Sequence, residues 1–230
     1  MPEPEDSDLS RAALPLRHDS PRRVPLLLLA LLALAACGPD EPALDRAALR
    51  AEWETWRASR DSLYASDESP VPVDLREAFG GLVYFPYDST RTYPASLQPA
   101  LQPDTLYLQT STGEIRPMIA SGVLSFWAEG RTHRLTAYIA GGPRDPAVPP
   151  SLFVPFRDQT TGRETYGGGR YLDVRPDPDG VVRLDFNRAY HPTCVVNPSY
   201  SCPIPPPQNT LPLLLQAGER YPETAAASGA

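Results

Sequence analysis

Beyond Pro72 the apolar residues stop following a helical repeat and begin to alternate, and prolines keep interrupting the alternation. With 29 prolines and 15 glycines in 230 residues, short strands joined by turns are the structure that most of this chain can adopt. Residues 82–87 (LVYFPY) read as an aromatic strand that Pro86 demotes to an edge or a bulge. Residues 105–110 and 115–120 flank Ser111-Thr112-Gly113-Glu114, a hairpin turn. A second hairpin joins 122–127 to 132–139 through Ala128-Glu129-Gly130-Arg131. Residues 152–156 are short and apolar, and 171–175 and 181–186 flank Asp177-Pro178-Asp179-Gly180, whose side chains and fixed φ favour a turn. A last strand is expected at 211–216. Before all of these, 44–65 is helical: Leu49, Trp53, Trp56, Arg60 and Leu63 form one stripe, Asp45 suits the positive N-terminal end, and 67–72 stop it. The stripe is read as the face that docks the helix on a β core rather than as a ligand site. The expectation is a mainly β fold: an antiparallel sandwich or partly open barrel of about nine strands with one N-terminal helix packed on it.

The N-terminus speaks to location. Pro21-Arg22-Arg23 precedes an apolar run from Val24 to Ala36 that ends in Leu34-Ala35-Ala36-Cys37. At about 13 residues the run is short of the roughly 20 that cross a bilayer, so it reads as the apolar part of an export signal. Cleavage after Ala36 leaves Cys37 first, which resembles the bacterial lipobox, where that cysteine takes a lipid; ordinary signal cleavage near the same alanines is the alternative. Glu3, Glu5, Asp6, Asp8 and Asp19 are unusual ahead of a signal and suggest a start nearer Arg22. The expected organisation is a signal peptide over 1–36, a tether over 37–43, one domain over 44–222 (helix 44–65, β core 80–217) and a disordered tail over 223–230. The domain would be exported and lipid-anchored, facing the periplasm or the cell exterior.

Charge and motifs exclude more than they identify. A net charge of −7, with every one of the 21 basic residues an arginine, gives no basic face for nucleic acid. No Gly-rich phosphate loop, G-x-S-x-G elbow or H-E-x-x-H occurs, and His18, His133 and His191 are too few for a His-rich metal site. No cofactor and no metal is expected.

Residues 158–209 carry the remaining chemistry. Gly167-Gly168-Gly169-Arg170 either brings backbone N–H groups and a guanidinium to an anion or turns the chain into the strand at Tyr171; with no helix following, the turn is favoured. Cys194 and Cys202 bracket a short loop holding Asn197-Pro198-Ser199-Tyr200. In an exported protein they are expected to form a disulfide, against a His191-activated thiolate or a thiolate metal site.

The ordered motifs Phe153-x-x-Phe156-x-Asp158-x-Thr160-x-Gly162-x-Glu164-Thr165-Tyr166, Gly169-Arg170-Tyr171-Leu172, Asp185-Phe186-Asn187-x-Ala189-Tyr190-x-Pro192-x-Cys194 and Tyr200-x-Cys202-Pro203 resemble the bacterial DUF1684 family. Trp56-Arg57, Phe85-Pro86-Tyr87-Asp88 and Ala217-Gly218-Glu219 are similar too, so the likeness runs over about residues 46 to 220. It implies a single small domain, often exported or lipid-anchored, and brings no catalytic residue because the family's function is unknown. The family more often has Asn where this chain has His191.

Two readings of function follow. In the first, a membrane-anchored envelope lipoprotein serves as a binding or accessory module, and its motif residues form a structural lock. In the second, Asp158, Glu164, Tyr166, Arg170, Asp185, Asn187, Tyr190 and His191 line a pocket for a small polar, carbohydrate-like ligand, with Asp158 and Asp185 available for acid/base work. The partners expected are the membrane through Cys37, and a small polar ligand or an envelope protein.

Overall fold

The computed structural model describes residues 45–139, 151–177 and 181–221. The expected signal peptide, the expected tether with Cys37, most of the Asp-Pro-Asp-Gly turn and the expected tail lie outside them.

The fold is mainly β with one N-terminal helix, α1 (Arg46–Ala65). Asp45 caps it by accepting hydrogen bonds from the Ala47 and Ala48 N–H groups, which satisfies two of the orphan donors of the first turn. Leu49, Trp53 and Tyr64 are its buried face, and Leu63 is 42 % exposed, so the stripe ends one residue later than its spacing predicts. The Trp53 indole donates to the Asn187 carbonyl at 3.0 Å and packs on Tyr87, with ring centroids 5.1 Å apart. The tryptophan stripe is thus the docking face.

Eight strands follow among the described residues: β1 (Val83–Tyr84), β2 (Thr92–Gln109), β3 (Ile115–Ala128), β4 (Arg131–Ile139), β5 (Leu152–Phe156), β6 (Arg170–Val174), β7 (Val181–Asp185) and β8 (Glu219–Arg220). Six form one antiparallel sheet in the order β6-β5-β4-β3-β2-β7, and β1 pairs with β8. The two edge strands of the large sheet, β6 and β7, are consecutive in sequence, and an isolated bridge between Pro176 and Val182 brings them together. The sheet therefore curls back on itself as a partly open barrel.

Two strands are far longer than the alternation suggests. β2 continues upstream through Pro94 and Pro99, and β3 fuses two expected strands across Ser121. A register shift between Pro99 and Asp104 accommodates Pro99, which cannot donate to a ladder, and a second shift lies between Ala120 and Gly122. The β3–β4 hairpin turns through Glu129 (φ 48°) and Gly130 (φ 78°), the left-handed pair that a two-residue turn requires.

The core lies inside the curl: Leu124, Leu135, Val154, Phe156, Leu172, Leu184 and Phe186 are fully or almost fully buried. The segment expected as a last strand, 211–216, is closed over this core without joining a ladder. Leu211, Leu213, Leu215 and Ala217 alternate inward as foreseen, but Pro212 has no N–H and the carbonyls are taken by side chains and loop amides. Strand pairing resumes only at Glu219.

Candidate functional site

The polar residues singled out in the sequence fall into separate buried networks. In the first, Arg170, 1 % exposed, donates from Nη2 to Asp158 Oδ2 (2.7 Å) and to the Leu215 carbonyl (2.8 Å), and from Nη1 to the carbonyls of Ala217 and Glu219. Asp158 Oδ1 accepts from the Thr160 N–H (3.0 Å) and hydroxyl (2.6 Å). Arg170 thereby replaces the ladder that 211–217 lacks: one planar guanidinium stitches three carbonyls to a buried carboxylate. Gly169 makes this possible. Its φ is +91°, and a Cβ there would meet the Phe156 carbonyl at 2.6 Å and Pro205 Cγ at 2.7 Å.

A second network centres on Asn187, which exchanges two hydrogen bonds with the Asp88 backbone (2.9 and 2.8 Å) and is held by Asp185 Oδ1 (2.8 Å). Asp185 Oδ1 also accepts from Thr92 and the Asn187 N–H. These bonds seat the 85–91 segment and, through the Trp53 bond, the helix.

The third was not legible as a site. Glu219, 1 % exposed, accepts from Arg60 Nε at 2.6 Å and from the His191 N–H at 2.7 Å. Burial works against the Arg60 charge, yet the carboxylate beside it raises its pKa on balance. Arg60 also lies over the Tyr190 ring at 4.7 Å. His191 Nε2 accepts from the Tyr166 N–H at 3.3 Å, which leaves the proton of the neutral ring on Nδ1. Burial, with the charges of Arg170 and Arg60, pushes the His191 pKa down to about 3. Asn209 likewise carried no signal beyond its proline-rich surroundings. Its side chain makes three bonds, to both backbone groups of Thr136 and to the Pro155 carbonyl, and so fastens the segment after the cysteines to β4 and β5.

Asp158 and Asp185 thus belong to different networks, and neither is free for acid/base chemistry. Glu164 lies apart, with both carboxylate oxygens on Gln216 (3.1 and 2.8 Å). Cys194 and Cys202 are free thiols; the Cys194 N–H donates to Cys202 Sγ at 3.2 Å. The expected disulfide is therefore not formed in this structure, although the two cysteines are neighbours. Burial and the adjacent Cys194 push the Cys202 thiol up to about 12, which removes it as a nucleophile at neutral pH. Among the described residues no group of three or more His, Cys, Asp and Glu side chains is placed to hold a metal ion. No helix among them is long and apolar enough to cross a membrane.

Of the predicted ligand-binding residues, Tyr190 alone lines a large open cleft, which the predicted cysteine Cys202 also borders. This cleft, about 900 Å³, lies between the start of β3 (Arg116, Met118), the outer strands β5 and β6 (Phe153, Tyr171, Asp173) and the 190–203 loop with Tyr200 and Cys202. Tyr171 is fixed by its hydroxyl, which donates to the Pro203 carbonyl, and its ring meets Phe153 edge-on at 4.7 Å and Tyr190 edge-on at 5.7 Å. The Tyr190 hydroxyl donates to Asp173 Oδ2 at 2.7 Å. The enclosing walls raise the Asp173 pKa, while Tyr190 and the charges of Arg60, Arg188 and Arg175 oppose the shift. The sequence could not reveal this cleft. Its walls alternate along three strands and a loop that look like ordinary sheet and turn.

Residues 77–220 match the model of DUF1684, proteins of unknown function. The chain belongs to the DUF1684 family. An uncharacterized protein from Haloarcula marismortui, determined in solution by NMR, is similar in structure, with a TM-score of 0.62 and 34% sequence identity. The likeness covers 77% of this chain and 96% of that one. No curated protein matches. The match spans the Arg170, Asn187 and Glu219 networks and the whole cleft, but it leaves out α1, which supplies Arg60 and Trp53.

Proposed function

We propose that this DUF1684 protein is a non-catalytic binding module of the cell envelope, held to a membrane through lipidated Cys37, with the aromatic cleft as its binding surface. One observation carries the reading. The residues with the most catalytic promise are tied up by carbonyls, amides and one another, whereas the cleft keeps aromatic rings and a carboxylate open to solvent. The hydrolytic alternative put Asp158 and Asp185 to acid/base work on a sugar, and these two carboxylates sit in different networks, bound to Arg170 and to Asn187. The Leu34-Ala35-Ala36-Cys37 sequence supports the anchor. Export would also oxidise the neighbouring Cys194 and Cys202 to a disulfide, with the compartment's dithiol oxidant taking the two electrons.

Two experiments test this. Cells fed a labelled fatty acid should incorporate it into the wild-type chain and not into Cys37→Ser; equal incorporation removes the anchor. NMR mapping against a library of small envelope solutes should find shifts confined to Phe153, Asp173, Tyr190 and Tyr200. Shifts centred elsewhere, or product formation from any bound solute, would overturn the reading.

A further inference from the structure

Resting on the cleft as the binding surface, we infer that its ligand is an acidic saccharide, a hydroxylated ring bearing a carboxylate. Three observations converge. Phe153 and Tyr200 offer partly exposed ring faces, Tyr200 at 47 % exposure. Such faces pack on the C–H side of a sugar ring without demanding the full enclosure that a wholly apolar ligand needs. The Asp173 side chain uses Oδ2 for Tyr190 and makes no other hydrogen bond among the described residues, so Oδ1 is an acceptor for ligand hydroxyls.

The third observation is charge. Arg116 stands at the β3 wall with no hydrogen bond or ion pair among the described residues. Around Asp173 the acting charges are Arg60, Arg188 and Arg175, in a chain whose net charge is −7. Arg60 is paired with Glu219, so among the described residues the cation that faces the cleft without a carboxylate partner is Arg116. An ammonium ligand would meet its charge, while a ligand carboxylate can take the Arg116 guanidinium as a bidentate partner. A volume of about 900 Å³ accommodates more than one ring.

The test is calorimetric titration of the purified full chain with three probes: digalacturonate, an uncharged galactose disaccharide, and phenylacetate, an acid without hydroxyls. Digalacturonate should bind at least about tenfold more tightly than either of the others, the worth of one charge-assisted bond or one set of hydroxyl contacts. Arg116→Gln, at an exposed position where melting should not change, should remove that preference by weakening digalacturonate alone. Tyr200→Ala should weaken both disaccharides. Equal affinity for the two disaccharides, equal affinity for phenylacetate, or no loss in Arg116→Gln overturns the inference. So does silence from all three probes while another solute shifts the cleft resonances, an outcome that leaves the binding-module reading intact. If no solute reaches the cleft, both fall.

Discussion

His191 should make this protein acid-labile in a range where few other groups titrate. Its imidazole is buried, accepts the Tyr166 N–H on Nε2, and feels the positive charges of Arg170 and Arg60. Its pKa is about 3 in the folded chain, against 6.5 for an unperturbed imidazole. Between these values the unfolded chain binds a proton that the folded chain refuses. Stability is therefore complete above pH 6.5 and falls as the pH drops towards 3. Each unit costs about 1.4 kcal/mol, so the loss at pH 4.5 is on the order of 3 kcal/mol, a large part of the stability of a domain this size. Asn at 191 offers an oxygen to the same N–H and cannot take up the proton. Urea unfolding of wild type and His191→Asn at pH 7.5, 6.5, 5.5 and 4.5 separates this contribution from the carboxylates common to both. The wild type should lose roughly 3 kcal/mol more than the variant on going to pH 4.5. Parallel loss in the two proteins, or an NMR titration of His191 near 6.5, would refute the reasoning.

Other perturbations address the remaining networks. Arg170→Ala strands Asp158 and frees the carbonyls of Leu215 and Ala217, so it should cost about 3–5 kcal/mol in chemical denaturation; an unchanged midpoint would contradict a structural role. Asn209→Ala leaves the Thr136 N–H and two carbonyls unpaired, and a loss of about 3 kcal/mol should appear in the same assay. Gly169→Ala places a methyl against the Phe156 carbonyl at a left-handed φ and should lower stability by about 2–3 kcal/mol or prevent folding, as expression and thermal melting will show. Protein recovered from an exporting host and alkylated under denaturing conditions without reductant should show no adduct on Cys194 or Cys202; two adducts would mean the thiols survive export.

Local signals were legible wherever a local cause is sufficient. The helix, its Asp45 cap and the Glu129-Gly130 hairpin follow from neighbours in sequence, and the structure has them. The prolines misled in both directions. Pro94 and Pro99 look like strand breakers, yet both sit within β2: Pro94 lies opposite Arg183 of β7 just before the pairing with β3 begins, and Pro99 borders a register shift that makes room for a residue that cannot donate. The alternation at 211–216 reports burial correctly, but pairing is a property of a partner, and the partner there is a guanidinium instead of a strand. Motif residues were recognised as belonging together, and Asp158 does meet Arg170 as Asp185 meets Asn187. The pairing of Glu219 with Arg60 and the clamp made by Asn209 were not, because each acts across the fold on a segment far away in sequence.

By itself, then, the sequence determined the fold class and the family. These rest on periodicity, turn chemistry and ordered motifs, all of which are written within short windows of chain. Tertiary structure alone decided what the polar residues do. Whether a carboxylate is a catalyst or a clamp depends on which donors surround it, and the donors of Asp158, Asp185 and Glu219 include groups from separate strands, loops and the helix. The same holds for the cleft: Arg116, Phe153, Asp173, Tyr190 and Tyr200 become one surface only when the sheet curls and the loop after His191 closes along its edge.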